Sequence, residues 1–116
     1  MHEVSLMEQT LEIALENARQ QGANKINRLK MRIGEMSGVV PEALEFAFDV
    51  VTQGTIAHGA ILEIESVPVV CYCSHCQREF SPPDVFYQCP TCEQFSQKMI
   101  SGKEIELTSL ELSDFV

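Results

Sequence analysis

The 116-residue chain has no tryptophan, and aromatic residues make up only 7% of it. Its core must therefore rest on Leu, Ile, Val, Met and six Phe. Basic residues are also scarce. Lys+Arg number 8 against 17 Asp+Glu, a net charge of −9. An acidic chain repels phosphate backbones, which disfavours nucleic acid as a partner. No run approaches the ~18 consecutive apolar residues that a bilayer-spanning helix needs, so no membrane segment is expected. The opening Met1-His2-Glu3-Val4-Ser5-Leu6 lacks the basic and then apolar profile of a signal peptide. A catalytic open zinc site, a nucleophile elbow and a phosphate-binding glycine loop are all missing, which argues against a metal-dependent hydrolase, and no internal repeat is visible. These absences together lead us to expect a cytoplasmic protein.

Hydrophobic residues at 45% and charged residues at 22% are ordinary for a globular chain. The length suits one small domain, or one domain carrying an inserted module. Val4, Met7, Leu11, Ala14, Leu15 and Ala18 recur at helical spacing and predict an amphipathic helix over 4–21, stopped by Gly22. Its Glu8, Glu12 and Glu16 form a solvated face, with a secondary reading as a docking surface for a basic partner. Leu29, Met31 and Ile33 alternate with Arg28, Lys30 and Arg32, which predicts a half-buried strand over 25–34. Pro41 suits the first turn of a second helix that carries Leu44, Ala47, Phe48 and Val51 and ends by Gly54. Residues 60–67 read as another strand, through Leu62 and Ile64 against Glu63 and Glu65. Residues 104–112 read as a third. There Ile105 and Leu107 lie on one phase and Leu110 and Leu112 on the other, so a bulge is expected near Thr108–Ser109. The expected fold is α+β: two helices packed on a three-stranded mixed sheet, with an inserted zinc-ribbon-like module of four cysteines. The expected division is residues 1–68 plus 99–116 for the α+β domain and 69–98 for the insert.

All five cysteines fall between 71 and 92. Cys73-Ser74-His75-Cys76 and Cys89-Pro90-Thr91-Cys92 are two C-x-x-C pairs. A turn with two intervening residues aims both sulfurs at one ion, and two such turns complete a tetrahedron at ~2.3 Å Zn–S distance. The set leaves no open position for a substrate, so a structural Zn²⁺ is expected. The same four sulfurs could hold iron in a rubredoxin-like site, or work as a dithiol–disulfide switch. Cys71 is a fifth thiol, read as a spare buried residue with ligand exchange as the alternative. His75, inside a knuckle, and His58, between helix and strand, read as exposed turn residues. Met31 reads as packing and Met36 as loop.

The amino terminus permits a second kind of metal site. The Met1 amine, the His2 amide nitrogen and the His2 Nδ1 close two chelate rings in one plane. Planar nitrogen donors suit Ni(II) or Cu(II). Glu3 could supply a fourth donor through backbone or side chain. One weak, replaceable donor makes such a site able to release its ion.

With these motifs together, the chain resembles the HypA/HybF hydrogenase-maturation proteins, a family of nickel chaperones. The resemblance spans essentially the whole chain. It rests on Met1-His2-Glu3, the helix running to Gly22-Ala23, Ile33-Gly34-Glu35, the Phe48 helix, Cys71-Tyr72-Cys73-Ser74-His75-Cys76, Cys89-Pro90-Thr91-Cys92 and the closing Glu104–Leu112 strand. It implies that Met1, His2 and Glu3 bind Ni(II) weakly as cargo, and that Cys73, Cys76, Cys89 and Cys92 hold structural Zn²⁺. It implies the GTPase HypB and the precursor of the [NiFe]-hydrogenase large subunit as partners, and in some relatives urease accessory proteins. No catalysis is implied. Two departures stand out. Some members carry His after a C-x-x-C pair, where this chain has Gln77 and Glu93. Some place an Asp near the second helix, where this chain reads Val39-Val40-Pro41-Glu42, leaving Glu42 as the only nearby acid of that stretch. The competing reading is a zinc-ribbon interaction adaptor without a nickel role. The oligomeric state stays open between monomer and homodimer, because a small sheet leaves an exposed edge.

Overall fold

The computed structural model describes residues 2–82, 87–96 and 98–114. Helix α1 spans His2–Gln20, strand β1 Lys25–Gly34 and helix α2 Pro41–Val51. Strand β2 spans Ile61–Val67, β3 Val70–Cys73, β4 Arg78–Phe80, β5 Lys98–Ser101 and β6 Ile105–Ser113. Two three-stranded sheets result. In the first, of order β2-β1-β6, β1 runs parallel to β2 and antiparallel to β6, which makes it mixed as expected. In the second, of order β4-β3-β5, all pairings are antiparallel. The last strand of the second sheet runs on to Ser101, past the boundary expected at residue 98. No helix among the described residues is long and apolar enough to cross a membrane.

Both helices cover one face of the first sheet. Met7, Leu11, Ala14 and Ala18 of α1 and Leu44, Ala47 and Phe48 of α2 are buried against Ile26, Leu29, Met31 and Ile33 of β1. Leu107, Leu110 and Leu112 of β6 pack at the border of this core. The helical spacing of the first set and the alternation of the second put these residues on facing surfaces. Two irregularities keep the strands in phase. Lys30 pairs with Ser109 and Met31 with Leu107, so Thr108 is the extra residue that the phase change predicted. A second shift leaves Asn27 unmatched between Ile26 and Arg28. It is why Ile26 and Leu29, three apart, both face inward.

The opposite face of the first sheet is charged. Arg28, Lys30 and Arg32 stand on the central strand, with Glu63 and Glu65 on one side and Glu106 and Glu111 on the other. Arg28 contacts Glu63 at 2.6 Å and Glu111 at 3.3 Å, and Arg32 contacts Glu65 at 3.2 Å and Glu106 at 3.1 Å. Opposite charges directly across a ladder favour this register over a slipped one.

The sheets meet end to end. Gly34 N–H donates to Glu104 C=O at 2.8 Å and Met36 N–H to Gly102 C=O at 2.7 Å. The Glu35 carboxylate accepts from Val69 N–H at 3.3 Å, and the Glu104 carboxylate accepts from Gly102 N–H at 2.8 Å. Only a glycine fits at position 34, since a Cβ there would lie 2.1 Å from the Gly102 oxygen. The molecule is accordingly long, 58 × 27 × 17 Å, with a radius of gyration of 17.9 Å. A single compact domain of this length would have about 13 Å.

Candidate metal sites

The four expected sulfurs converge. Cys73, Cys76, Cys89 and Cys92 place their Sγ atoms within 4.8 Å of one another. Cys73 and Cys92 lie 3.5 Å apart and Cys76 and Cys89 4.0 Å apart. A tetrahedron with Zn–S bonds of ~2.3 Å has edges of about 3.8 Å. Cys73 ends β3, and the turn after it brings Cys76 back so that its N–H donates to the Cys73 sulfur at 3.4 Å. The second pair sits in a tight turn, where Cys89 N–H donates to Gln94 C=O and Glu93 N–H to Cys89 C=O. The Arg78 guanidinium donates to the Thr91 hydroxyl and ties one turn to the other.

Each turn is completed by the residue after its second cysteine. Gln77 has φ 55° and Glu93 φ 65°, both in the left-handed region. That conformation costs an L-residue roughly 1–2 kcal/mol, and the paired geometry accepts it to wrap the backbone around the sulfurs.

The electrostatics fit a bound cation. The backbone N–H groups of Cys92 and Thr91 lower the Cys89 thiol to about 6. Burial, with hydrogen bonds to Cys92 and the other sulfurs, pushes Cys76 up to about 12. Four crowded thiolates repel one another, and a divalent ion at their centre is what lets all four ionise. Cys71 lies outside this cluster. It is buried in β3 opposite Phe80 and Met99, and burial raises its thiol, so it serves as a neutral packing residue. His75 and His58 are exposed. Met31 is buried in the core, and Met36 lies in the loop after β1.

At the amino terminus, α1 begins at His2, two residues earlier than the apolar spacing indicates. Met1 lies outside the described residues. His2 is exposed. The Glu3 carboxylate accepts from the Val40 N–H at 3.2 Å. Val40 is the N-cap of α2 and its own side chain provides no cap, so an acid from α1 satisfies a donor at the start of α2. That bond holds the Glu3 carboxyl below its usual range. Glu42 stays exposed in the first turn of α2. Sequence reasoning missed the Glu3–Val40 contact, because its partners are 37 positions apart. The first backbone N–H groups of α1 have no helical acceptor, as at any helix start, and the His2 and Glu3 amides are among them. The Glu3 carboxylate thus brings the start of α1 beside the start of α2.

Comparison with known proteins gives a consistent picture. A family described as hydrogenase/urease nickel incorporation metallochaperone, HypA, matches residues 1–112. A hydrogenase maturation factor HypA from Picosynechococcus sp. is 58% identical over 112 residues, covering 97% of this chain and 99% of that protein. One from Roseiflexus sp. is 43% identical over 115 residues, covering 98% and 94%. The solution structure of the Ni metallochaperone HypA from Helicobacter pylori superposes with a TM-score of 0.66 at 29% identity, covering 95% of this chain and 96% of that one. A second HypA solution structure gives 0.73 at 29% identity, covering 97% of each.

Proposed function

The chain belongs to the HypA family of nickel metallochaperones that act in hydrogenase maturation, and on that premise we propose that its own nickel station is the amino terminus, with zinc held at the four sulfurs. It is a maturation factor rather than an enzyme. The observation that carries the nickel reading is the exposed His2 at the very start of α1, with adjoining amides free of helical partners. The Met1 amine, the His2 amide and the His2 imidazole supply planar nitrogens. The Glu3 amide adds a fourth, since its carboxylate is committed to Val40. The positive end of a helix dipole disfavours a cation, which keeps the grip weak and the ion transferable.

Four thiolates at zinc-like spacing support a structural role for Cys73, Cys76, Cys89 and Cys92, with Zn²⁺ supplying the folding free energy of a module that has little apolar core. The family description names hydrogenase and urease, which fits a [NiFe]-hydrogenase large-subunit precursor as client, the GTPase HypB as co-chaperone and urease accessory proteins as further contacts. Free cysteines suit the reducing cytoplasm.

Calorimetry with Ni(II) on untagged protein tests the reading. His2→Ala, or a tag that blocks the terminal amine, should abolish specific nickel binding while one zinc per chain remains. Unchanged nickel affinity in both variants would overturn the amino-terminal site. A red protein containing iron would overturn the zinc assignment.

A further inference from the structure

Strand β6 is an edge of the first sheet, nine residues long, and no described residue pairs with its outer side. Such an edge offers unpaired N–H and C=O groups to another chain. Beside it, on the helix side, lies a groove of about 480 Å³ whose apolar lining is Ile13, Leu107, Leu110 and Leu112. Ile13 is 56% exposed, a large hydrophobe on the open flank of α1. Acids stand beside the groove on α1 and, on the other face of the sheet, along β6. Glu12 and Glu16 border Ile13 on α1, and Glu106 and Glu111 stand on β6.

The charged face distinguishes this edge from the other. Glu63 contacts both Arg28 and Lys30, and Glu65 contacts both Lys30 and Arg32. Glu106 and Glu111 each contact one cation, Arg32 and Arg28 respectively. The alternation of acidic and basic strands is thus closed at β2 and open at β6. What would continue it is what β1 already is: an extended segment alternating apolar residues with Lys or Arg.

From these three features we infer that β6 is a docking edge for an extended partner segment of alternating apolar and basic residues, added as a fourth strand. Its basic side chains meet Glu106 and Glu111, and its apolar side chains cover Ile13 and fill the groove. A second copy of this chain fits poorly. Laid antiparallel along β6, it would bring Glu106 and Glu111 against the same acids of its partner, and like charges across a ladder are unfavourable. This surface is separate from both metal sites, and the inference does not depend on where nickel binds.

The test uses the full zinc-loaded chain and a synthetic nine-residue peptide of alternating valine and lysine, with an alternating valine–glutamate peptide as control. Amide shifts and titration calorimetry should show the lysine peptide perturbing residues 105–113 and Ile13, with affinity falling as salt rises. The glutamate peptide should not bind. Replacing both acids, E106Q with E111Q, removes two cross-strand charge pairs and should weaken binding roughly 2- to 30-fold, and I13S should weaken it further. Because Ile13 is exposed, I13S is expected to fold, and comparison of the two peptides on the unaltered chain needs no variant at all. Equal binding of both peptides, no binding of either, or shifts confined to β2 would overturn the inference. So would a stable dimer that pairs β6 with itself.

Discussion

Gly34→Ala should separate the two sheets at their junction. Alanine suits a strand at least as well as glycine, so any loss comes from the surroundings. The added Cβ would lie 2.1 Å from the Gly102 oxygen, 2.2 Å from the Gly102 carbonyl carbon and 2.5 Å from the Lys103 nitrogen. Ordinary contact needs about 3.5 Å. All three atoms are backbone, with no flexible side chain to swing aside, so the end of β1 and residues 102–103 must part by about 1 Å or more. The movement breaks or stretches the bonds from Gly34 N–H to Glu104 and from Met36 N–H to Gly102. Overpacking of ~1–3 kcal/mol and two backbone hydrogen bonds of ~0.5–1.5 kcal/mol each give a loss of roughly 2–6 kcal/mol. A domain has only about 5–15 kcal/mol in all. Urea unfolding followed by circular dichroism on zinc-loaded protein reads the loss. Gly38→Ala is the control, since nothing lies within 4 Å of its would-be Cβ and only its φ of +85° opposes the change. If Gly34→Ala proves no more destabilising than Gly38→Ala, the reasoning fails.

Cys89→Ser should lower zinc stoichiometry and unfold the second sheet while α1 and the first sheet persist, read by metal analysis and by amide spectra of residues 2–67. Glu93→Val puts a β-branched residue at φ 65° and should cost a further ~1–2 kcal/mol, seen as faster zinc loss to a chelator, whereas Glu93→Asn should hold zinc at least as well as the native chain. Glu3→Ala removes the acceptor for Val40 N–H and should loosen the start of α2, raising hydrogen exchange at residues 40–44 with the zinc module unaffected. Lys30, and after it Arg32, hold the Glu65 carboxyl below its ordinary 4.5. Stability from these pairs is therefore complete above that value and is lost as pH falls through the lower folded one. Melting temperature should be flat from neutrality to about pH 5 and decline below, and Glu65→Gln should flatten part of that decline.

The first sheet is readable because its residues alternate. Leu29, Met31 and Ile33 mark β1, and the phase slip between Leu107 and Leu110 marks the bulge at Thr108. The matching irregularity at Asn27 escaped the sequence reading, although Ile26 sits out of phase with Leu29. The cysteine pairs announce the metal cluster through spacing alone. The strands around them do not show, because β3, β4 and β5 are three or four residues long and hold no apolar stripe of their own. The start of α1 at His2 is hidden as well. Its anchor is a backbone donor at Val40, and no local pattern encodes a contact across that separation. The junction at Gly34 and Gly102 is equally invisible, since a close approach of backbone leaves only a bare glycine in the sequence.

The Glu3–Val40 bond puts the amino terminus at the end of the first sheet where Gly34, Glu35 and Met36 reach across to the second. Cargo gripped by His2 would ride at the waist of this long molecule and not at either tip. On that proposal a recipient would bring its empty pocket to the waist, beside the junction with the four-cysteine module. Exchanging that module for a relative's would change who can collect the ion without changing how tightly it is held.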